Sequence, residues 1–175
     1  MKQNITIVCA ILVMVSTAFS EVVQAPAILK KGTQLPAIVC MSVDEKSFDS
    51  RTILAEGKYL IVTFFTTYCQ PCIKEFPSFL KIKQEAGNNV EILLVSVGQD
   101  SRDDLKRFRL KHNIPGFEMV RDKYSTIRQP FGVTDKVPVT FMANPKGEVI
   151  FSQFGAFPNE DPYPLLKPLI KGTAK

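Results

Sequence analysis

The sequence predicts an α/β fold: a mixed central sheet flanked by helices, with a strand extension at its N-terminal side. Three observations lead there. The runs Tyr59–Phe65 and Val90–Val97 are apolar without alternation, the pattern of strands covered on both faces. A helical stretch follows each run. Val139–Ala143, the turn Asn144–Gly147 and Glu148–Phe154 then read as a β-hairpin, which brings antiparallel pairing into the same sheet.

The elements follow in order. Lys2 gives a positive start, residues 5–15 an apolar core, and Ala18-Phe19-Ser20 the small residues that a signal peptidase reads. Residues 1–20 are therefore expected to be a signal peptide cut before Glu21, with an uncleaved N-terminal anchor as the alternative. The apolar stretch is shorter than the roughly 20 residues of a stable membrane span. Residues 21–35, with Pro26 and Gly32, read as a linker, and residues 36–171 as the domain. Pro36–Met41 is a first short strand, Asp44–Lys46 a turn, and Phe48–Ala55 irregular or briefly helical. A helix is expected from Gln70 to Glu85, with Phe76, Phe79, Leu80 and Ile82 apolar, Pro77 kinking it, and Gly87 at its end. Ser101 and Asp104 form a capping box opening a helix to about His112. A strand near Phe117–Val120 and a helix near Tyr124–Phe131 come next. Pro162, Pro164 and Pro168 leave any final helix short or distorted.

Composition narrows the function. A 175-residue chain, 45% hydrophobic and 22% charged, suits one domain with a real core. The net charge of +5 is modest, and stretches such as Arg102–Arg107 mix both signs, so solvated helix faces are expected and no nucleic-acid surface. Without the signal segment, Cys40, Cys69 and Cys72 remain, which is one pair and one spare rather than a disulfide framework. Export would place them in an oxidising compartment, where a reduced C-x-x-C needs a continuing supply of electrons.

The pair carries the chemistry. Cys69-Gln70-Pro71-Cys72 stands where a strand gives way to a helix, and the unpaired N–H groups and dipole of a helix N-terminus favour a thiolate. Cys69, at the helix start, is expected to attack a partner disulfide. Cys72, about one turn further in, is expected to resolve the mixed disulfide. Pro71 removes one helix N–H and fixes the backbone before Cys72. Glu75, three residues beyond Cys72 and near the same face, is placed to take a proton. A static disulfide is the bland alternative. No second C-x-x-C or His pair completes a zinc site, so neither metal nor cofactor is expected. Cys40 reads as a small buried hydrophobe, His112 as a surface residue, and Phe64, Phe76, Phe79, Phe141 and Phe151 as core.

These motifs together resemble the thioredoxin fold, and among its members the exported, often membrane-tethered TlpA/ResA type. Phe64-Phe65-Thr66-Thr67-Tyr68-Cys69-Gln70-Pro71-Cys72-Ile73-Lys74-Glu75-Phe76-Pro77 follows that group's active-site pattern, Pro77 matches its helix proline, and Val137-Pro138 its cis-proline loop. Phe65 and Tyr68 stand where Trp is usual; Thr63 stands where thioredoxin has a buried Asp, and Glu75 matches the acid of the tethered relatives. The resemblance implies that Tyr68, Gln70, Pro71, Val137 and Pro138 contact substrate, with an extended partner segment pairing beside Val137-Pro138. It implies a protein disulfide as substrate, apocytochrome c first, a membrane electron-transfer partner, a monomer, and a periplasmic or other extracytoplasmic location, soluble or tethered. A disulfide-forming oxidase or isomerase shares this chemistry. Two other classes stay open: a peroxiredoxin-like peroxidase, for which Thr66 fits but Val62 replaces a required Pro, and a copper-delivery module, which usually has one more residue between its cysteines and a better placed His than His112.

Overall fold

The computed structural model describes residues 28–171 apart from Pro115. The expected signal segment and the start of the expected linker lie outside the described residues.

β1 (Val39–Met41) and β2 (Ser47–Asp49) form a small antiparallel pair, and α1 (Ser50–Ala55) follows, its N-terminus capped by Asp49. The main sheet holds β3 (Tyr59–Phe65), β4 (Val90–Ser96), β5 (Glu118–Arg121), β6 (Val139–Ala143) and β7 (Val149–Phe154), in the order β5-β4-β3-β6-β7. β3, β4 and β5 run parallel, while β6 is antiparallel to β3 and to β7, so the sheet is mixed as expected. Between them run α2 (Gln70–Ala86), with Pro77 inside it, and α3 (Arg102–Lys111); α4 (Tyr163–Leu166) is a single turn among prolines.

All seven residues of β3 are buried, and alternation divides its side chains between two cores. Ile61 and Phe65 pack with Phe76, Phe79 and Ile82 of α2, and with Leu105 and Phe108 of α3. Leu60, Val62 and Phe64 face Phe131, Phe141 and Ile127, with Ile53 and Leu54 of α1 against the same cluster. Each such Phe contributes on the order of 1.5–3 kcal/mol by leaving water. The sheet is thus covered on both faces, and the carboxyl ends of β3, β4 and β5 open on one edge of the molecule.

Three expectations change. From Leu29 the expected linker is part of the domain: Gly32 N–H donates to Val149 O, Val149 N–H to Thr33 O, and Leu35 is buried. Ser47–Asp49, not expected as a strand, pairs with β1. Most of the expected helix 124–131 is absent, and only Gln129–Phe131 forms a 3₁₀ turn. There the Asp122 carboxylate accepts the N–H groups of Ile127 and Arg128, and Ser125 takes a positive φ of 61°. A side chain that captures backbone donors in this way replaces the helix's own ladder.

Candidate active site

Thr66, Thr67 and Tyr68 carry the chain from the end of β3 to Cys69, which is the N-cap residue of α2. The Cys69 N–H donates to Thr66 O at 3.1 Å, closing the turn. The Cys72 N–H points at Cys69 Sγ, 3.3 Å away. A sulfur thus stands where a capping oxygen usually does, receiving a helix N-terminal donor. Cys69 and Cys72 are joined as a disulfide, S–S 2.08 Å. Cys69 is the more accessible of the two, 8% exposed against 1%.

Glu75 lies one turn beyond Cys72 on α2 and is buried to 1% exposure. Its Oε1 accepts the N–H of Phe157 at 2.8 Å, while Oε2 is buried with no hydrogen-bond partner. Phe157 is held by stacking on Phe151 and by edge contact with Phe79, one turn beyond Glu75 on the same face of α2, so the carboxyl is tethered to a fixed backbone donor. Burial pushes the Glu75 pKa up to about 7; the Phe157 N–H works against that rise and the neighbouring Glu160 adds to it. An acid in that range can hold or release a proton at neutral pH.

The remaining expected site residues divide. Tyr68 and Gln70 are exposed, Pro71 is half-buried in the first turn of α2, and all three flank the sulfurs. Val137-Pro138 is a cis peptide, and Pro138 lies one residue before Val139, which is paired with Phe64. The loop therefore stands at the same end of the sheet as Cys69. Val137 packs against the cluster that contains both sulfurs, and its backbone N–H and C=O are without hydrogen bonds among the described residues. The pair, Glu75 and the Val137-Pro138 loop are thus brought together by the carboxyl end of β3 and its neighbour β6.

Thr63 is buried, and accepts a hydrogen bond from Thr140 at 2.9 Å. Cys40 is half-buried rather than buried, packed against the opposite core, because β1 is an outlying strand. His112 is half-buried, its ring 4.4 Å from that of Phe108. It shares an open cavity of about 590 Å³ with Thr67, Gln70 and Asp100.

Asp100 escaped notice in the sequence. It accepts from Thr67 at 2.6 Å and Ser96 at 2.9 Å, tying the loop before Cys69 to the end of β4. Its signal is positional: a carboxylate just past the carboxyl end of a parallel strand, where α/β sheets place their sites. Thr66 Oγ1, next in the chain to Thr67, is buried without a hydrogen-bond partner.

Known proteins resemble the chain in sequence and in fold. The model of the AhpC/TSA family matches residues 31–152. The chain is 27% identical over 135 residues to the thiol-disulfide oxidoreductase ResA of Bacillus subtilis, covering 77% of this chain and 73% of that one. It is 25% identical over 143 residues to the thiol:disulfide interchange protein HelX of Rhodobacter capsulatus, covering 82% and 78%. Among solved structures, the thioredoxin domain of a thiol-disulfide oxidoreductase from Bacteroides vulgatus superposes with a TM-score of 0.69 at 20% identity, over 82% of this chain and 99% of that one. The fold is thioredoxin-like.

Proposed function

The chain belongs to the AhpC/TSA family and is a thiol–disulfide oxidoreductase, and on that premise we propose that it is an exported reductase of protein disulfides. The observation that carries this reading is a C-x-x-C at the start of α2 backed, one turn on, by a buried carboxyl with an unpaired oxygen.

In the reduced protein the Cys69 thiolate attacks one sulfur of a partner disulfide. The mixed disulfide forms and the partner's other sulfur leaves as a thiolate. Cys72 gives its proton to Glu75, and its thiolate then attacks Cys69 Sγ. The Cys69–Cys72 disulfide closes, and the partner departs with two electrons gained. A membrane electron donor then reduces the pair again. Tyr68, Gln70 and Pro71 meet the partner on one side of the sulfurs. Val137 and Pro138 meet it on the other, where the unused backbone groups of Val137 suit an extended segment added as a short strand. Apocytochrome c is the first substrate to try, on the strength of the resemblance to the TlpA/ResA type. An N-terminal signal or anchor, residues 1–20, fits an extracytoplasmic site of action; among the described residues no helix is long and apolar enough to cross a membrane.

The peroxidase reading rests on Thr66 alone, and Val62 stands against it. Turnover of hydrogen peroxide by Cys69 in a Cys72→Ser background is its test.

The test of the reductase reading is the potential of the Cys69/Cys72 pair, equilibrated against glutathione and dithiothreitol buffers. A value near or below about −270 mV, that of thioredoxin, is the expected result. A value near about −120 mV, that of a strong periplasmic oxidant, would instead make the protein a disulfide donor.

A further inference from the structure

We propose that the cleft at the carboxyl end of β5 is an oxyanion-binding site built around Arg121. Arg121 is the last residue of β5 and half-buried. Its Nε is buried with no hydrogen-bond partner, and no side chain among the described residues pairs with its guanidinium. Leaving a buried charged donor unmet costs on the order of 1–3 kcal/mol or more. A guanidinium in that condition awaits an acceptor.

What surrounds it has the same polarity. Arg121 lines a cavity of about 220 Å³ with Arg102, Lys123, Ser42 and Thr126. Ser42 is buried, and its Oγ accepts the N–H groups of Asp44 and Lys46 at 3.3 Å each. Its own hydroxyl proton has no acceptor among the described residues. The cavity thus offers unspent donors, one fork of Arg121 and a hydroxyl, beside the Lys123 ammonium, which stands 5.1 Å over the Tyr124 ring. Glu45 pairs with Arg102 and offsets one cation. The other acids nearby are turned away. Strand alternation sends Glu118 to the face opposite Arg121. Glu118 and Asp122 act on Cys40, and the Asp122 carboxylate is occupied by Ile127 and Arg128.

The position gives the site a use. β5 is parallel to β4 and β4 to β3, with Arg121 level with Ser96 and Ser96 level with Phe65. Arg121 therefore stands two strand spacings, roughly 10 Å, from the end of β3, on the edge of the molecule that presents the redox pair. A planar guanidinium with a neighbouring ammonium recognises a carboxylate or a phosphoryl group. The volume suits one such group. Two sources carry that chemistry: an acidic side chain of a disulfide partner lying across this edge, which rests on the function proposed above, or a free small oxyanion.

The test reads binding, not exchange, so it stands apart from the redox reading. The oxidised protein, labelled with ¹⁵N, is titrated at constant ionic strength with inorganic phosphate and, separately, with a capped peptide of alternating glycine and glutamate. The Arg121 Nε–H resonance and the backbone amides of Ser42, Asp122 and Lys123 report. Saturable shifts with both ligands support a partner carboxylate in the site; saturation with phosphate alone supports the free-ion form. Arg121→Gln is expected to weaken the response of the backbone amides about tenfold or more, the worth of one charge-assisted hydrogen bond. The exposed variant Lys123→Gln is expected to weaken it less. Shifts that do not saturate, or that are unchanged in Arg121→Gln, overturn the proposal.

Discussion

Cys40 and the Cys69–Cys72 pair sit against opposite faces of one sheet, and their surroundings differ in every respect that governs sulfur chemistry. Cys69 caps α2, with the Cys72 N–H directed at its sulfur. Cys40 lies on β1, and among the described residues no backbone N–H is directed at its sulfur; burial, followed by the charges of Asp122 and Glu118, pushes its thiol up to about 11. One environment lowers the cost of a thiolate, the other raises it. Thiol reactivity here is a property of the burial, backbone donors and carboxylates around the sulfur rather than of the residue.

Removing sulfur from the pair should break the comparison most completely. Cys69→Ser is expected to abolish disulfide exchange, read as the loss of insulin-disulfide reduction. Cys72→Ser should retain attack but not resolution, so a partner mixed disulfide accumulates on Cys69. If Cys69→Ser keeps exchange through Cys40, the contrast between the two environments fails.

Glu75 comes next. If it accepts the Cys72 proton, as proposed, it should be worth about 10²-fold in the resolving step, the lower end of general acid–base effects, and Glu75→Gln should lose that rate. The pH profile separates this role from a packing role. With the Glu75 pKa at about 7, resolution in the wild type should rise with pH through neutrality, and in Glu75→Gln that inflection should be missing. Stability carries the same signature with its own sign. The folded pKa is raised above 4.5, the ordinary value, so the contribution is fully present below about pH 4.5 and is lost as pH rises through about 7. The oxidised wild type should therefore lose up to about 3 kcal/mol across that window relative to Glu75→Gln, measured by denaturant unfolding.

Much of this was legible along the chain, for identifiable reasons. Tyr59–Phe65, Val90–Val97 and the hairpin announce themselves because fully buried strands need continuous apolar runs. Cys69, Cys72 and the helix after them are local, and Ser101 with Asp104 forms the expected capping box. What stayed hidden depends on partners far away in sequence. Glu75 could be placed near Cys72 by helical spacing, but its burial rests on Phe157, separated from it by 82 residues. The helix expected at 124–131 failed because Asp122, outside the segment, takes two of its donors. Arg121 carried no signal at all, since an unpaired guanidinium is recognised only when every neighbour is known.

The smallest expected effect sharpens the comparison from the other side. Cys40 is predicted to be a spectator in exchange, so Cys40→Ala should leave the reduction potential and the exchange rate of the pair unchanged. Its half-buried side chain packs against Ile38, Phe48 and their neighbours, so the substitution should cost about 1 kcal/mol in stability, below the range of a fully buried truncation. Reactivity gives the independent reading. With Cys69 and Cys72 held as a disulfide, Cys40 is the one free thiol among the described residues. A pKa raised from 9.0 to about 11 lowers its thiolate population at pH 8 by roughly 100-fold. Alkylation by iodoacetamide should be slower by about that factor than for an unstructured cysteine peptide, and urea should restore the peptide rate. Fast alkylation of the folded protein would mean that the carboxylates of Asp122 and Glu118 do not govern this sulfur, and that burial on an outlying strand is too slight to silence it.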